Sequence, residues 1–339
     1  MNKAKVFINV LPANEGDCII ITIRYGDIDY NIMVDSGSKS TYRYPDRKKR
    51  IVDGALKKKI EELRANGQII NLLILTHVDD DHIGGLVEWI AKDEEAFDMI
   101  DWVFLNNGEK VTIPDYSSLL HSISKGRKLD EILRAANKCV ENKIVKGCNF
   151  DVPHGHITIL TPTVAAHNII SDKWTEKKVL NKVSGDYNKP IKELLKHKFD
   201  SSDFSKTNNS SISFILEVDG RKDLFLGDAD VEDVCLALEE LEYSKECPLC
   251  CTTVKLSHHG SRNNFSEKLL DLVRTEVFIF SSNGNYHGHP DKEVFAYIID
   301  KTSAKVYFNY VDRAKRIICN QDLIDYPSIT NRILDNLNG

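Results

Sequence analysis

The chain predicts an α/β fold, and three observations carry that reading. Short β-branched apolar segments alternate with amphipathic stretches of helical spacing. The alternation runs through the chain twice, giving two similar halves. Several apolar segments end abruptly in polar clusters, at Asp35, His77, Asp228, His258 and the run NYHGHP. In α/β folds, ligands gather beyond the carboxyl ends of strands, so such endings mark candidate sites.

The segments KVFINVLP, CIIITIRYG and DYNIMVDSG open the first half as strands, with Gly26 and Asp27 suited to a hairpin turn. Residues 49 to 66 have helical spacing through Ile51, Leu56, Ile60 and Leu63. The strand IINLLILT follows, then an acidic cluster, then a helix expected from Gly84 to Lys92. MIDWVFLN reads as a strand and LDEILRAANKCVENKIV as a helix. HITILTP is another strand, whereas residues 163–206 are irregular and rich in Lys, Asn, Asp and Ser. The second half runs through strands SSISFILEVDG and RKDLFLGDAD, helix VEDVCLALEELEY, strand CTTVKLSHHG and helix SEKLLDLVRT. It closes with strand EVFIFSSNG and helix DKEVFAYIIDK. No internal repeat of 20 to 50 residues is visible.

Bulk composition narrows the class. With 339 residues, 42% hydrophobic and 28% charged, the chain can bury a sizeable core. No apolar run approaches the roughly 20 residues of a membrane helix, and the first segment is too short for a secretory leader. The expectation is a cytoplasmic protein that does not engage membranes. A net charge of −6 argues against a general nucleic-acid binder. Nine basic residues between Lys39 and Lys59 stand against Asp46 and Asp53 only. That run reads either as a solvated face or as a local landing site for phosphates. The eight cysteines form no disulfide framework, and Cys247-x-x-Cys250 lacks the further ligands of a structural zinc site, so free thiols are expected.

The most informative stretch is NLLILTHVDDDHIGGLVEWI, residues 71 to 90. Three carboxylates crowded behind a buried strand repel one another unless a cation sits among them. Read as an extended segment, His77-x-Asp79-x-Asp81 puts alternate side chains on one side, with His82 adjacent and Gly84–Gly85 admitting a tight turn into a helix. Taken singly, Asp35 in VDSG can be a turn residue and GDAD a helix cap. By contrast, four potential ligands, His77, Asp79, Asp81 and His82, at this spacing directly after an apolar strand indicate a metal centre.

THVDDDHIGG resembles the signature of the metallo-β-lactamase-fold hydrolases, usually His-x-His-x-Asp-His, with Asp79 where most members carry His. With EGDCIII, MVDSG, TILTP, NNSSISFILE, LFLGDAD, LSHHGS and GHP in order, the chain is similar to the competence-type branch. That branch includes the hydrolase domain of DNA-uptake channel proteins and the phosphorylcholine esterases. The resemblance implies a four-layer αββα sandwich, here one domain over 1–339 with insertions or lids at 98–150 and 163–206. It implies two divalent ions. His77 and Asp79 would hold one with a histidine of the HHG pair, and Asp81 and His82 the other with His289, while Asp228 bridges both. Strand alternation through Val254 and Leu256 favours His258 as ligand, leaving His259 to bond a ligand or substrate beside Asp81 in the catalytic set. Asp35 would orient ligands. Asn208, Asn209, Ser211, Ser261 and Tyr286 are candidate substrate contacts.

An oxygen-rich ligand set suits Zn²⁺ and makes Mn²⁺ more plausible than at an all-histidine site. The expected chemistry is attack by a hydroxide bridging the two metals. A Ser257–His258–Asp228 triad would leave the acidic cluster without a role. The expected activity is a phosphodiesterase or nuclease acting on DNA, RNA or a nucleotide. The alternatives are hydrolysis of a small ester or signalling nucleotide, and a non-catalytic regulatory module. Because the channel that accompanies the domain in that branch is absent from this sequence, a separate protein partner is a further expectation.

Overall fold

The computed structural model describes residues 3–106, 120–136, 138–141, 143–169, 186–196, 210–285 and 288–338. Their contacts divide the chain into two compact units. The first comprises Met1–Val145 with Thr163–Glu176, and the second Lys146–Pro162 with Lys177–Gly339. No helix among the described residues is long and apolar enough to cross a membrane.

The first unit runs β1 (Lys5–Val10), β2 (Ile19–Tyr25), β3 (Ile28–Val34), α1 (Lys39–Tyr42), β4 (Arg43–Pro45), β5 (Ile51–Asp53), α2 (Ala55–Ala65), β6 (Ile70–Leu75) and α3 (Asp80–Ile90). It continues through β7 (Ile100–Leu105), α4 (Leu120–Ala135), β8 (Cys139–Glu141) and the short α5 (Val164–Ile169). Its main sheet has the order β1-β2-β3-β6-β7-β8. The first three strands are antiparallel, and β3, β6, β7 and β8 run parallel. Ile20, Met33, Leu73 and Leu75 pack on Leu56, Ile60 and Leu63 of α2, Ile83, Leu86 and Trp89 of α3, and Leu129 and Leu133 of α4. The opposite face, with Ile21, Ile32, Leu72 and Ile74, is apolar and buried as well. A sheet apolar on both faces reads as continuous rather than alternating hydrophobicity, as LLIL does.

Two expectations in this unit change. Residues 49–66 are not one helix: Ile51–Asp53 forms a hairpin with Arg43–Pro45, and the helix starts at Ala55. Gly54 forces the break, because a Cβ there would lie 2.1 Å from the Thr41 carbonyl oxygen. The helix expected over 129–145 ends at Ala135, and Cys139–Glu141 instead adds a parallel strand beside β7. The described part of 98–150 is therefore woven into the sheet.

The second unit begins with β9 (Asn149–Val152), β10 (Gly155–Thr161), α6 (Ile191–Leu194), β11 (Ser213–Val218), β12 (Arg221–Phe225), α7 (Val231–Glu240) and β13 (Leu249–Lys255). It ends with α8 (Glu267–Leu272), β14 (Val273–Phe280), α9 (Lys292–Lys301), β15 (Lys305–Phe308), α10 (Val311–Ile317), α11 (Asn320–Asp325) and β16 (Ile333–Leu334). The sheet order is β16-β15-β14-β13-β12-β11-β10-β9, antiparallel through β12 and parallel from there. Leu224, Val254, Phe278 and Val306 pack with Val234 and Leu238 of α7, Leu269 of α8 and Phe295 and Ile298 of α9.

Each sheet thus switches from antiparallel to parallel at one strand pair, β3/β6 in the first unit and β12/β13 in the second. The polar clusters lie just past the carboxyl ends of those pairs, Asp35 and His77 in one unit, Asp228 and His258 in the other. That repetition is the structural form of the two similar halves legible in the sequence.

Candidate metal centre

In the first unit Asp35 organises the cluster. It is fully buried at the end of β3 with φ +55°. One carboxylate oxygen accepts the Thr76 backbone N–H at 2.8 Å. The other accepts the Thr76 hydroxyl at 2.7 Å and faces His82 Nδ1 at 2.8 Å. Because the Thr76 proton goes to Asp35, its oxygen is left to accept from His77 Nδ1, 3.0 Å away. Asp35 therefore fixes the Nδ1–H tautomer of both imidazoles, one directly and one through Thr76, and each ring presents its Nε2 lone pair.

Those Nε2 atoms face carboxylates at distances too long for hydrogen bonds. His77 Nε2 is 3.7 Å from Asp79, and His82 Nε2 is 3.9 Å from Asp81. An ion about 2.0–2.2 Å from each ligand atom fits between such pairs. The donor set of two imidazoles and two carboxylates suits a divalent cation of the zinc or manganese kind, so the residues present fit the metal the sequence implies.

The local backbone differs from the extended segment expected. The helix begins at Asp80, four residues before Gly84, with Asp79 as its N-cap residue and Asp80 and Asp81 in its first turn. Acids are favoured there by the helix dipole. Gly84 and Gly85 do not turn the chain; they let another segment approach the helix. A Cβ on Gly85 would lie 2.1 Å from the Ser36 carbonyl oxygen, and one on Gly84 2.8 Å from the Lys39 backbone nitrogen. Ser36 pins the first turns: its N–H and hydroxyl both donate to the His82 carbonyl at 2.7 Å, and its Oγ accepts from Leu86 N–H. Alanine in a free helix stabilises by about 1 kcal/mol relative to glycine. Here Gly85→Ala is expected to destabilise by about 1–3 kcal/mol through overpacking, read as a lowered midpoint in urea unfolding.

Sequence reasoning assigned no role to Asp17. It is buried, and it places a carboxylate oxygen within 4.8 Å of ligand atoms of Asp35 and His82. The neighbouring Gly16 has to be glycine, since a Cβ would fall 1.7 Å from the Asp81 carbonyl oxygen. The signal was present in EGDCII, where an acid follows a glycine at the mouth of a strand.

In the second unit Asp228 follows β12 and is 3% exposed. One of its oxygens lies 3.8 Å from His258 Nε2 and the other 3.8 Å from His259 Nε2. Both histidines thus face the same carboxylate, which overturns the argument that strand alternation singles out His258. β13 ends at Lys255, and His258 and His259 occupy a tight turn with φ +45° and +58°. Strand parity does not extend into a left-handed turn. The His289 ring lies 5.1 Å from that of His258, and His289 Nδ1 is 3.3 Å from Asp291. Burial pushes the Asp291 carboxyl up, but His289 and the Arg262 backbone N–H outweigh it and hold the group below the usual carboxylate range.

Asn264 sets the tautomer of His258. Its Nδ2 donates to the Asp228 and Ala229 carbonyls at 3.3 and 3.2 Å, so its Oδ1 faces His258 Nδ1 at 2.9 Å and accepts the proton there. Desolvation, followed by repulsion from His289 and His259, lowers the His258 pKa to about 4 against the pull of Asp228. The ring is therefore neutral at pH 7, the form that ligates. Asn264→Ala is expected to weaken metal affinity about 10–100-fold, with the far-ultraviolet spectrum unchanged, as read by competition with a chelating dye.

Ser211 and Ser261, expected against substrate, are fully buried and bonded to the backbone. Ser211 Oγ accepts the Asp228 N–H at 2.9 Å, and Ser261 Oγ accepts the Asn263 N–H while its own N–H donates to the His258 carbonyl. They hold the ligand-bearing loops. Asn208, Asn209 and Tyr286 lie outside the described residues.

Residues 12–93 match the family model of the metallo-beta-lactamase superfamily, the segment that carries Asp17, Asp35, His77, Asp79, Asp81 and His82. No curated protein matches the chain. Among solved structures, the chain is similar to Zn²⁺-bound PqqB from Methylobacterium extorquens at 14% identity and a TM-score of 0.44, covering 89% of this chain and 96% of that one. A CmlA β-hydroxylase mutant overlaps 91% of this chain at 11% identity and a TM-score of 0.42; the chain spans 52% of that protein's length. A diphosphatase from the PhnP family overlaps 85% of this chain and 71% of its own at 12% identity and a TM-score of 0.34. At these identities and scores the likenesses speak to neither substrate nor mechanism.

Proposed function

The chain has a metallo-β-lactamase fold, and from that premise we propose that it is a metal-dependent phosphodiesterase of the competence-type branch, acting on nucleic acid or nucleotides. The reading rests most heavily on one observation. In both units, imidazole Nε2 atoms face carboxylate oxygens at 3.7 to 3.9 Å, with the tautomers of His77, His82 and His258 set by their neighbours. The proposal assigns two divalent ions per chain to these donor sets, as the sequence resemblance implies, with His77, Asp79, Asp81 and His82 from one unit and Asp228, His258 or His259, and His289 from the other. Zn²⁺ and Mn²⁺ both suit the set.

When bound, such ions supply a water ionised near neutral pH and a positive field for the charge developing on the attacked phosphoryl group. The protein's residues prepare the rest. Asp35 and Thr76 hold two rings in ligating form. Asp228 presents one oxygen to each histidine of the HHG turn. In this reading Asp81, part-exposed at the start of α3, accepts a proton from water, and whichever of His258 and His259 does not hold metal bonds the substrate. No serine or cysteine nucleophile is required.

The test is a panel of linear DNA, RNA and bis(p-nitrophenyl) phosphate, assayed with Mn²⁺ or Zn²⁺. Cleavage of polynucleotide and of the small diester, both abolished by Asp81→Ala with folding preserved, is the expected result. Cleavage of the small diester alone would replace the nuclease reading with that of a small-ester hydrolase. No hydrolysis of any diester would leave a non-catalytic module.

A further inference from the structure

In the fold, five of the nine cations between Lys39 and Lys59 pair with a carboxylate. Lys39 and Arg43 both pair with the buried Glu88, at 3.1 and 2.5 Å. Burial pushes the Glu88 carboxyl up, but the hydrogen bonds from Arg43 and Lys39 together hold it below the usual range. Arg50 pairs with Asp46, Lys57 with Asp53 and Lys59 with Glu62, each at 2.7 Å. Among the described residues, Arg47, Lys48, Lys49 and Lys58 have no acidic partner, and the first three are consecutive at the tip of the β4–β5 hairpin.

That tip is ordered by its own acid. Asp46 accepts the backbone N–H groups of Lys48 and Arg50 at 2.7 and 2.9 Å and the Arg50 Nε at 2.8 Å. The Asp46 N–H donates to the Arg50 carbonyl, and the Lys49 N–H to that of Asp46. A hairpin of two three-residue strands is marginal alone, and this one is anchored at its base by Arg43 on Glu88, a residue of α3. The helix that carries Asp81 and His82 at its first turn therefore also holds the hairpin. On β4, three residues before Arg47, Tyr44 is 42% exposed.

We propose that the β4–β5 hairpin is a docking surface for single-stranded nucleic acid, with Arg47, Lys48 and Lys49 on successive phosphates and Tyr44 stacking a base. The charge argument is local. A chain of net charge −6 repels a polyanion in general, and three consecutive unpaired cations on an ordered hairpin tip give one a place to approach. The aromatic ring favours a single strand, whose bases have open faces, over a duplex. The inference deepens the phosphodiesterase reading by naming its substrate class, and it is tested without catalysis.

The experiment measures fluorescence anisotropy of a labelled 20-nucleotide oligothymidylate with the full chain in EDTA, between 50 and 200 mM KCl. The triple variant Arg47→Ala, Lys48→Ala, Lys49→Ala is expected to bind more weakly, with the slope of log K against log salt lowered by about 2. Tyr44→Ala is expected to lose about tenfold in affinity with the slope kept. Both variants should hydrolyse bis(p-nitrophenyl) phosphate with metal as the parent does. Unchanged affinity and slope in the triple variant would overturn the proposal. So would binding to phosphatidylserine vesicles without binding to the oligonucleotide. Hairpin-dependent binding by a chain that hydrolyses no diester would support the surface while removing the phosphodiesterase reading.

Discussion

Asp228→Asn is expected to reduce diester hydrolysis at least about a thousandfold and to lower metal-dependent stabilisation while leaving the fold intact. The carboxylate gives one oxygen to each of His258 and His259, and an amide cannot give both. Its backbone N–H, held by Ser211 Oγ, is untouched by the substitution. In the parent, a divalent ion at a hundred times its dissociation constant stabilises the folded state by about 2.7 kcal/mol, read as a raised melting temperature. Asp228→Asn should show a smaller rise in melting temperature with Zn²⁺ than the parent does. A metal-dependent rise equal to that of the parent would show that Asp228 is not a ligand.

Asp35→Asn is the second large effect, and its signature differs because Asp35 acts through other residues. The amide oxygen can still accept the Thr76 N–H, but the amide nitrogen then meets the Thr76 hydroxyl and His82 Nδ1, both of which donate to the carboxylate. Relief requires His82 to move its proton to Nε2, which removes the lone pair a metal needs. The expected result is a 10–100-fold loss of metal affinity with partial activity restored by excess metal, a rescue that Asp228→Asn should not show. Asp35→Ala goes further. It leaves buried donors on Thr76 and His82 without an acceptor, and about 2–4 kcal/mol of stability should be lost in urea unfolding. Normal metal affinity in Asp35→Asn would contradict the positioning role.

Much of this was legible in the sequence, for identifiable reasons. Continuous apolar runs such as LLIL mark strands buried on both faces, and the clusters after them sit at strand ends, as Asp35, His77 and Asp228 do. The spacing of His77, Asp79, Asp81 and His82 pointed to a candidate metal centre, and the first unit gathers these side chains. The geometry of that spacing was not legible, because a helix N-terminus and an extended segment can both gather those side chains. The buried contact of Gly85 with Ser36 belongs to residues about fifty positions apart. His258 and His259 defeated strand parity because a left-handed turn begins three residues after β13. Asn264 and Asp291 act on histidines six and two positions before them, and neither lies in a pattern that periodicity detects. The basic run does not act as one patch: five of its nine cations pair with Glu88, Asp46, Asp53 or Glu62, and three of the remaining four sit together at the hairpin tip.

The most direct measurement of the central claim is the metal content of the chain purified without chelator, by native mass spectrometry with elemental analysis. Two divalent ions per parent chain and no more than one in Asp228→Asn is the predicted result. A parent chain that carries none, and takes up none from micromolar Zn²⁺ or Mn²⁺, would contradict it.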